Sequence, residues 1–208
     1  AAADAAMVWK GSGVPAFGVS CGDIVGAWDS GLNVPVHQAC ATAGYPFLTV
    51  IGHHDVVQNC ETNEKSMSVH ESFFGPTYYS FDFGKVHYVV LNDVFQYGRH
   101  YMGYLTESQL EWLEKDLSYV PKSTPVVVTM HATLHNYAGY NDLKNAAGFK
   151  KCFDGYSYVR VVTGHTHKVW NVDSGNIHEH NSGSVCACWW GAGSYYPTLN
   201  LAQDGSPG

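Results

Sequence analysis

The chain is 208 residues long, 45% apolar and 14% aromatic, which excludes a disordered segment and suits a single globular domain over residues 1–208. No apolar run approaches the ~18–20 residues that cross a bilayer, so no transmembrane segment is predicted. The net charge of −7 argues against a broad nucleic-acid-binding face, but not against a small anionic substrate, because bound cations reverse a local field.

Ala2–Lys10 reads as a helix, and it carries neither the basic start nor the apolar stretch of a signal peptide. With no initial Met and a helix already under way, the chain is expected to start inside its domain. Phe17–Cys21 reads as a strand running into Gly22-Asp23. Val34–Ala43 reads as a helix ending at Gly44. Phe47–Ile51 is a buried strand running into Gly52-His53-His54-Asp55. Thr77–Phe83, the Gly84-Lys85 turn and Val86–Leu91 predict a hairpin. Its rings, Tyr78, Tyr79, Phe81 and Phe83, are assigned to hairpin packing. Glu107–Tyr119 is the clearest helix. Thr106 and Gln109 form a capping box, Leu110, Leu113, Leu117 and Val120 share a face, and Pro121 stops the helix. Pro125–Met130 is a strand running into His131, and Tyr158–Thr163 one running into Gly164-His165-Thr166-His167. Shorter strands are expected near 168–171, 176–179 and 184–190. Six cysteines with no C-x-x-C spacing permit three disulfides but require none, and read as buried free thiols a little more readily than as disulfides.

Four apolar strands thus end in Gly-Asp, Gly-His-His-Asp, His and Gly-His-Thr-His. Ligands of layered α/β proteins bind beyond the carboxyl ends of strands. Strands aimed alike would bring Asp23, His53, His54, Asp55, His131, His165 and His167 to one rim. Imidazole with carboxylate suits Zn, Mn, Fe or Ni. A lone His after a strand is usually a polar cap, and a lone Asp a helix cap. Four such endings in one chain point to a metal site.

In this order, the motifs Gly22-Asp23, Gly52-His53-His54-Asp55, His131 and Gly164-His165-Thr166-His167 resemble those of the calcineurin-like metallophosphoesterases. The hairpin Phe74–Asp82 and the stretch Leu105–Leu113 are similar to those of secreted phosphatases of this superfamily, and Glu179–Cys186 with Trp189-Trp190 is similar to exported bacterial members. The resemblance implies a four-layer α/β/β/α sandwich of two mixed sheets, and hydrolysis of a small phosphate mono- or diester at two divalent ions (Mn, Fe, Zn or Ni). It implies a periplasmic or extracellular location. It makes Asp23 a bridge between the ions, His131 and His165 ligands of the second, and His167 a ligand of the first. His54 becomes the general acid, with Asp55 orienting its ring. His135 is a candidate substrate contact.

This chain departs from the pattern twice. His53 stands where the family has an Asn ligand, so restoring Asn is expected to raise activity or tighten metal binding. No Asp-x-His precedes Asp23, so the first strand is expected to be missing and at most one tightly bound ion is expected. Both departures favour a rival reading, a catalytically impaired module that binds rather than cleaves. Another binuclear zinc hydrolase fits less well, because neither H-x-H-x-D-H nor H-E-x-x-H occurs.

Overall fold

The computed structural model describes residues 17–26, 30–135 and 142–184. The expected helix 2–10 and most of the strand 184–190 lie outside these residues.

The architecture is mixed α/β around a six-stranded mixed sheet of order β3-β4-β7-β8-β10-β9. Its strands are β3 (Tyr79–Phe83), β4 (Val86–Val90), β7 (Val126–Thr129), β8 (Val159–Thr163), β9 (Trp170–Ser174) and β10 (Ile177–Asn181). Strands β4, β7, β8 and β10 run parallel, and β3 and β9 run antiparallel at the two edges. The carboxyl ends of the four parallel strands therefore open on one side. A second, two-stranded parallel sheet pairs β1 (Gly18–Ser20) with β2 (Phe47–Thr49). Helix α1 (Asn33–Thr42) makes the crossover that parallel pairing needs. Helices α2 (Asn63–Ser66) and α3 (Ser68–Phe74) follow β2. A hairpin absent from the sequence expectations, β5 (Val94–Tyr97) with β6 (His100–Gly103), follows β4.

The main core lies between the sheet and helices α4 (Glu107–Leu117) and α5 (Ala146–Cys152). Val126, Val128, Val159 and Val161 are fully buried there, as are Leu113, Phe149 and Phe153. Each such side chain contributes about 1.5–3 kcal/mol by leaving water. The 3.6-residue spacing of Leu110, Leu113 and Leu117 is what turns one face of α4 to the sheet. At the edge hairpin, Phe17 stands edge-on to Phe81, Phe83 and Tyr88 at 5.1–5.6 Å, the packing role expected for those rings.

The capping box is half formed. Thr106 Oγ1 accepts the amide of Gln109 at 3.3 Å. The Gln109 side chain does not turn back to the cap. Its Oε1 accepts from Asn92 N at 2.8 Å and its Nε2 donates to Asn92 O at 2.7 Å. Beyond the end of β4 this backbone unit is buried, and an amide side chain pairs with it as a neighbouring strand would. Among the described residues Cys21, Cys40, Cys60 and Cys152 are free thiols.

Candidate metal centre

Asp23 follows β1, His53 follows β2, His131 follows β7 and His165 follows β8. One ligand atom from each lies within 4.8 Å of the others. Strand ends from both sheets thus converge on one point.

Three distances within the group test whether an ion fits. His53 Nδ1 lies 3.1 Å from Asp23 Oδ2 and 3.0 Å from His131 Nε2. His131 Nε2 lies 3.4 Å from Asp23 Oδ2. Tetrahedral ligands on bonds of ~2.0–2.1 Å stand about 3.3–3.4 Å apart. The atoms of Asp23, His53 and His131 therefore stand near the spacing that one divalent ion requires, and His165 offers a fourth within 4.8 Å of them. Three imidazoles and one carboxylate suit Zn, Mn, Fe or Ni.

Three of the four candidate ligands are held from behind. His131 is 1% exposed, and its Nδ1–H donates to Cys21 O at 2.7 Å, which leaves the Nε2 lone pair facing the cluster. Asp23 Oδ1 accepts the amide of His54 at 2.9 Å, and Oδ2 faces the imidazoles. The His53 ring stacks on Tyr101 of β6, with centroids 4.2 Å apart and planes at 22°. Its Nδ1 proton lies among the would-be ligand atoms, so an ion must displace it.

The backbone is strained at the same places. Asp23, His165 and His167 have φ of 52°, 65° and 57°, in the left-handed region. Non-glycine residues there cost about 1–3 kcal/mol each and gather at functional sites. Gly22, at φ 88°, has no room for a side chain, because a Cβ would stand 2.6 Å from His131 Nδ1. On Gly52 a Cβ would collide with the amide and carboxylate of Asp23.

Electrostatics favour neutral rings at His131, His165 and His54 and an ionised carboxylate at Asp23. Burial lowers the pKa of His165 to about 3, reinforced by His131 and His53. Burial lowers His131 and His54 in the same direction. Burial pushes Asp23 up, but His131 and His53 outweigh it and hold the carboxyl below its usual range. These are the protonation states in which the groups can ligate a cation.

The other predicted site residues are placed differently. His167 lies outside the four-residue group, close enough to lower the basicity of His54 and His165. His54 flanks the group, its ring 4.2 Å from that of His53. Asp55, expected to orient His54, has both oxygens on backbone: Oδ1 accepts from Val25 N at 3.0 Å and Oδ2 from Gly52 N at 2.7 Å. Burial raises its carboxyl to about 7. His135, expected at the substrate, is bound through Nδ1 to Glu179 Oε2 at 2.6 Å. His178 and His180 pair with Asp173 and Asn171 on β9. It is the alternate residues of β10, Glu179 and Asn181, that are buried behind the ligand loops.

Tyr101, Asp93, Glu179 and Asn181 were not singled out from sequence. Asp93 had a usable signal, because Val89-Val90-Leu91-Asn92-Asp93 is an apolar strand ending in a carboxylate like the others. Tyr101 had none, since it lies on a hairpin away from any strand-end motif.

No protein-family model matches the chain. A 97-residue alignment gives 33% identity to purple acid phosphatase 13 of Arabidopsis thaliana, taking in 42% of this chain and 17% of that protein. This is weak homology to a metallophosphoesterase, and the chain spans well under two thirds of its length. The fold is similar to that of Thermus thermophilus sulfate thiohydrolase SoxB solved with glycerol, at TM-score 0.52 and 14% identity over 87% of this chain and 36% of that one. GAP50, the anchor in the inner membrane complex of Plasmodium, gives TM-score 0.47 at 13% identity over 79% and 53% of the two chains.

Proposed function

We propose that the chain is a metal-dependent hydrolase of phosphate mono- or diesters, built on a four-layer α/β/β/α sandwich of which the two sheets are the inner layers. The observation that carries the reading is the convergence of Asp23, His53, His131 and His165, with ligand atoms within 4.8 Å of one another and those of the first three 3.0–3.4 Å apart. Homology to a purple acid phosphatase, weak and partial, supports the same reaction class.

These four residues would hold the ion, which when bound supplies Lewis-acid and water-activating chemistry. His54, at the edge of the group, is the proposed proton donor to the leaving oxygen. Its amide N–H, bonded to Asp23 Oδ1, ties the acid to a ligand, so the two keep a fixed spacing. Asp55 supports His54 through the backbone of the 52–55 turn rather than through the ring. His167, flanking His54 and His165, is the proposed ligand of a second ion if two are used.

The test is turnover of p-nitrophenyl phosphate and bis(p-nitrophenyl) phosphate with added Mn²⁺ or Zn²⁺, with His131→Ala as control. Metal-dependent turnover lost in the variant supports the reading. Tight metal binding with no turnover of either ester would favour the binding module, the reading that the substitution of His for Asn at position 53 allows.

A further inference from the structure

Two carboxylates with no part in the chemistry above are completely buried behind the ligand loops. Asp93 continues β4, the parallel neighbour of β7, and is 0% exposed. Its Oδ1 accepts His131 N at 3.0 Å and its Oδ2 accepts Ala132 N at 2.8 Å. Glu179 lies on β10, the parallel neighbour of β8, and is also 0% exposed. Its Oε1 accepts Leu134 N at 2.8 Å and Thr163 Oγ1 at 3.0 Å. Its Oε2 accepts His135 N at 3.1 Å as well as His135 Nδ1.

Four of the five amides in the turn 131–135 are therefore held by two carboxylates reaching in from separate strands. Through Thr163, Glu179 also binds the strand end that leads into His165. Burying a carboxylate without a cationic partner is costly. A water or hydroxyl could satisfy loop amides at less cost. The arrangement makes sense where the position of the turn matters more than the stability lost. Small displacements there would move His131 Nε2 away from Asp23.

We propose that Asp93 and Glu179 are positioning residues for the metal centre, together fixing the 131–135 turn and the Thr163–His165 strand end so that His131 and His165 meet Asp23 and His53. The inference rests on the metal-centre reading. It concerns residues that touch neither ion nor substrate, and that act through the backbone of the turn and the side chains of Thr163 and His135. The carboxamide variants keep size and remove one acceptor, so an amide N–H of the turn then faces an NH₂ group.

The test uses the 208-residue chain, Asp93→Asn and Glu179→Gln, titrated with Co²⁺ and Zn²⁺, with the Co²⁺ absorption bands and the metal-free melting temperature recorded. Outer partners of ligands are commonly worth ~10–100-fold in affinity. The expected result is a loss in that range with shifted Co²⁺ bands, while the metal-free variants still melt cooperatively. Affinity within about twofold of the parent, with unchanged bands, overturns the proposal. A parent that binds neither ion overturns the metal-centre reading itself, a different result. Where a carboxamide variant does not fold, Thr163→Val carries the test, because it removes one contact of Glu179, along with the acceptor of Asn181 Nδ2, and keeps both carboxylates. Severalfold weaker Co²⁺ binding is expected there, and unchanged binding overturns the role of Glu179.

Discussion

Gly22 and Gly52 face each other beneath the cluster, so that a methyl group on Gly22 would stand 2.9 Å from both the Cα and N of Gly52. Two ligand-bearing turns from the same small sheet approach at this point, with no space for a side chain on either. Gly22→Ala adds a second penalty, because its φ of 88° disfavours any L side chain. Both Gly22→Ala and Gly52→Ala should cost at least about 1–3 kcal/mol, as overpacking does, and should weaken metal binding. Urea denaturation and Co²⁺ titration of each variant check this, and a parent-like midpoint would mean that the turns can separate.

The four-residue group should bind one divalent ion tightly, with His167 outside it. Metal at 100 times its Kd should then stabilise the fold by about 2.7 kcal/mol. Chelation should remove that increment, and His131→Ala or Asp23→Asn should abolish it. Melting curves with and without EDTA, with metal analysis of the purified protein, are the measurement. Two tightly held equivalents per chain would bring His167 into the ligand set.

His53 lies among the candidate ligand atoms, which favours the opposite outcome to the one expected from its departure from the family pattern. His53→Asn shortens the side chain and loses the stacking on Tyr101 at 4.2 Å. Outer partners alone are worth ~10–100-fold, so Zn²⁺ affinity should fall at least that far. Tighter binding or faster turnover in His53→Asn would restore the family's oxygen ligand as the better one.

His54→Ala should reduce turnover of esters with poor leaving groups by ~10²–10⁴-fold, the range of general acid catalysis. Phenyl phosphate and p-nitrophenyl phosphate should separate the two effects. An equal loss on both would assign His54 to structure rather than to proton transfer.

His70 on α3 is fully buried, and burial lowers its pKa from 6.5 to about 4. Above about pH 6.5 neither the folded nor the unfolded ring is protonated, and stability is complete. As the pH falls toward 4 the unfolded ring takes up a proton that the folded one resists, so stability is lost. The loss from this residue is at most about 3 kcal/mol. His70→Phe, which can pack against Phe74 as His70 does at 5.0 Å, should flatten the decline between pH 7 and 4.5. Urea midpoints at both pH values provide the comparison, and parallel declines would show that His70 is not a source of acid sensitivity.

The sequence by itself determined where the parallel strands end and which residues stand just beyond them. Those are local properties: an apolar run, then Gly, His or Asp. The cap at Thr106 and the 79–90 hairpin were legible for the same reason. Tertiary structure decided which ligand atoms meet. His53 joins the group and His167 does not, although each motif offers both its residues at a strand end. A strand-end pattern gives position along the chain, whereas the direction of a side chain depends on partners far away in sequence. His131 is aimed by the carbonyl of Cys21, 110 residues earlier. The 131–135 turn is held by Asp93 and by Glu179, up to 45 residues away. Hydrogen bonds of that range exist only once β4, β7, β8 and β10 lie side by side, and no periodicity within a single strand records them.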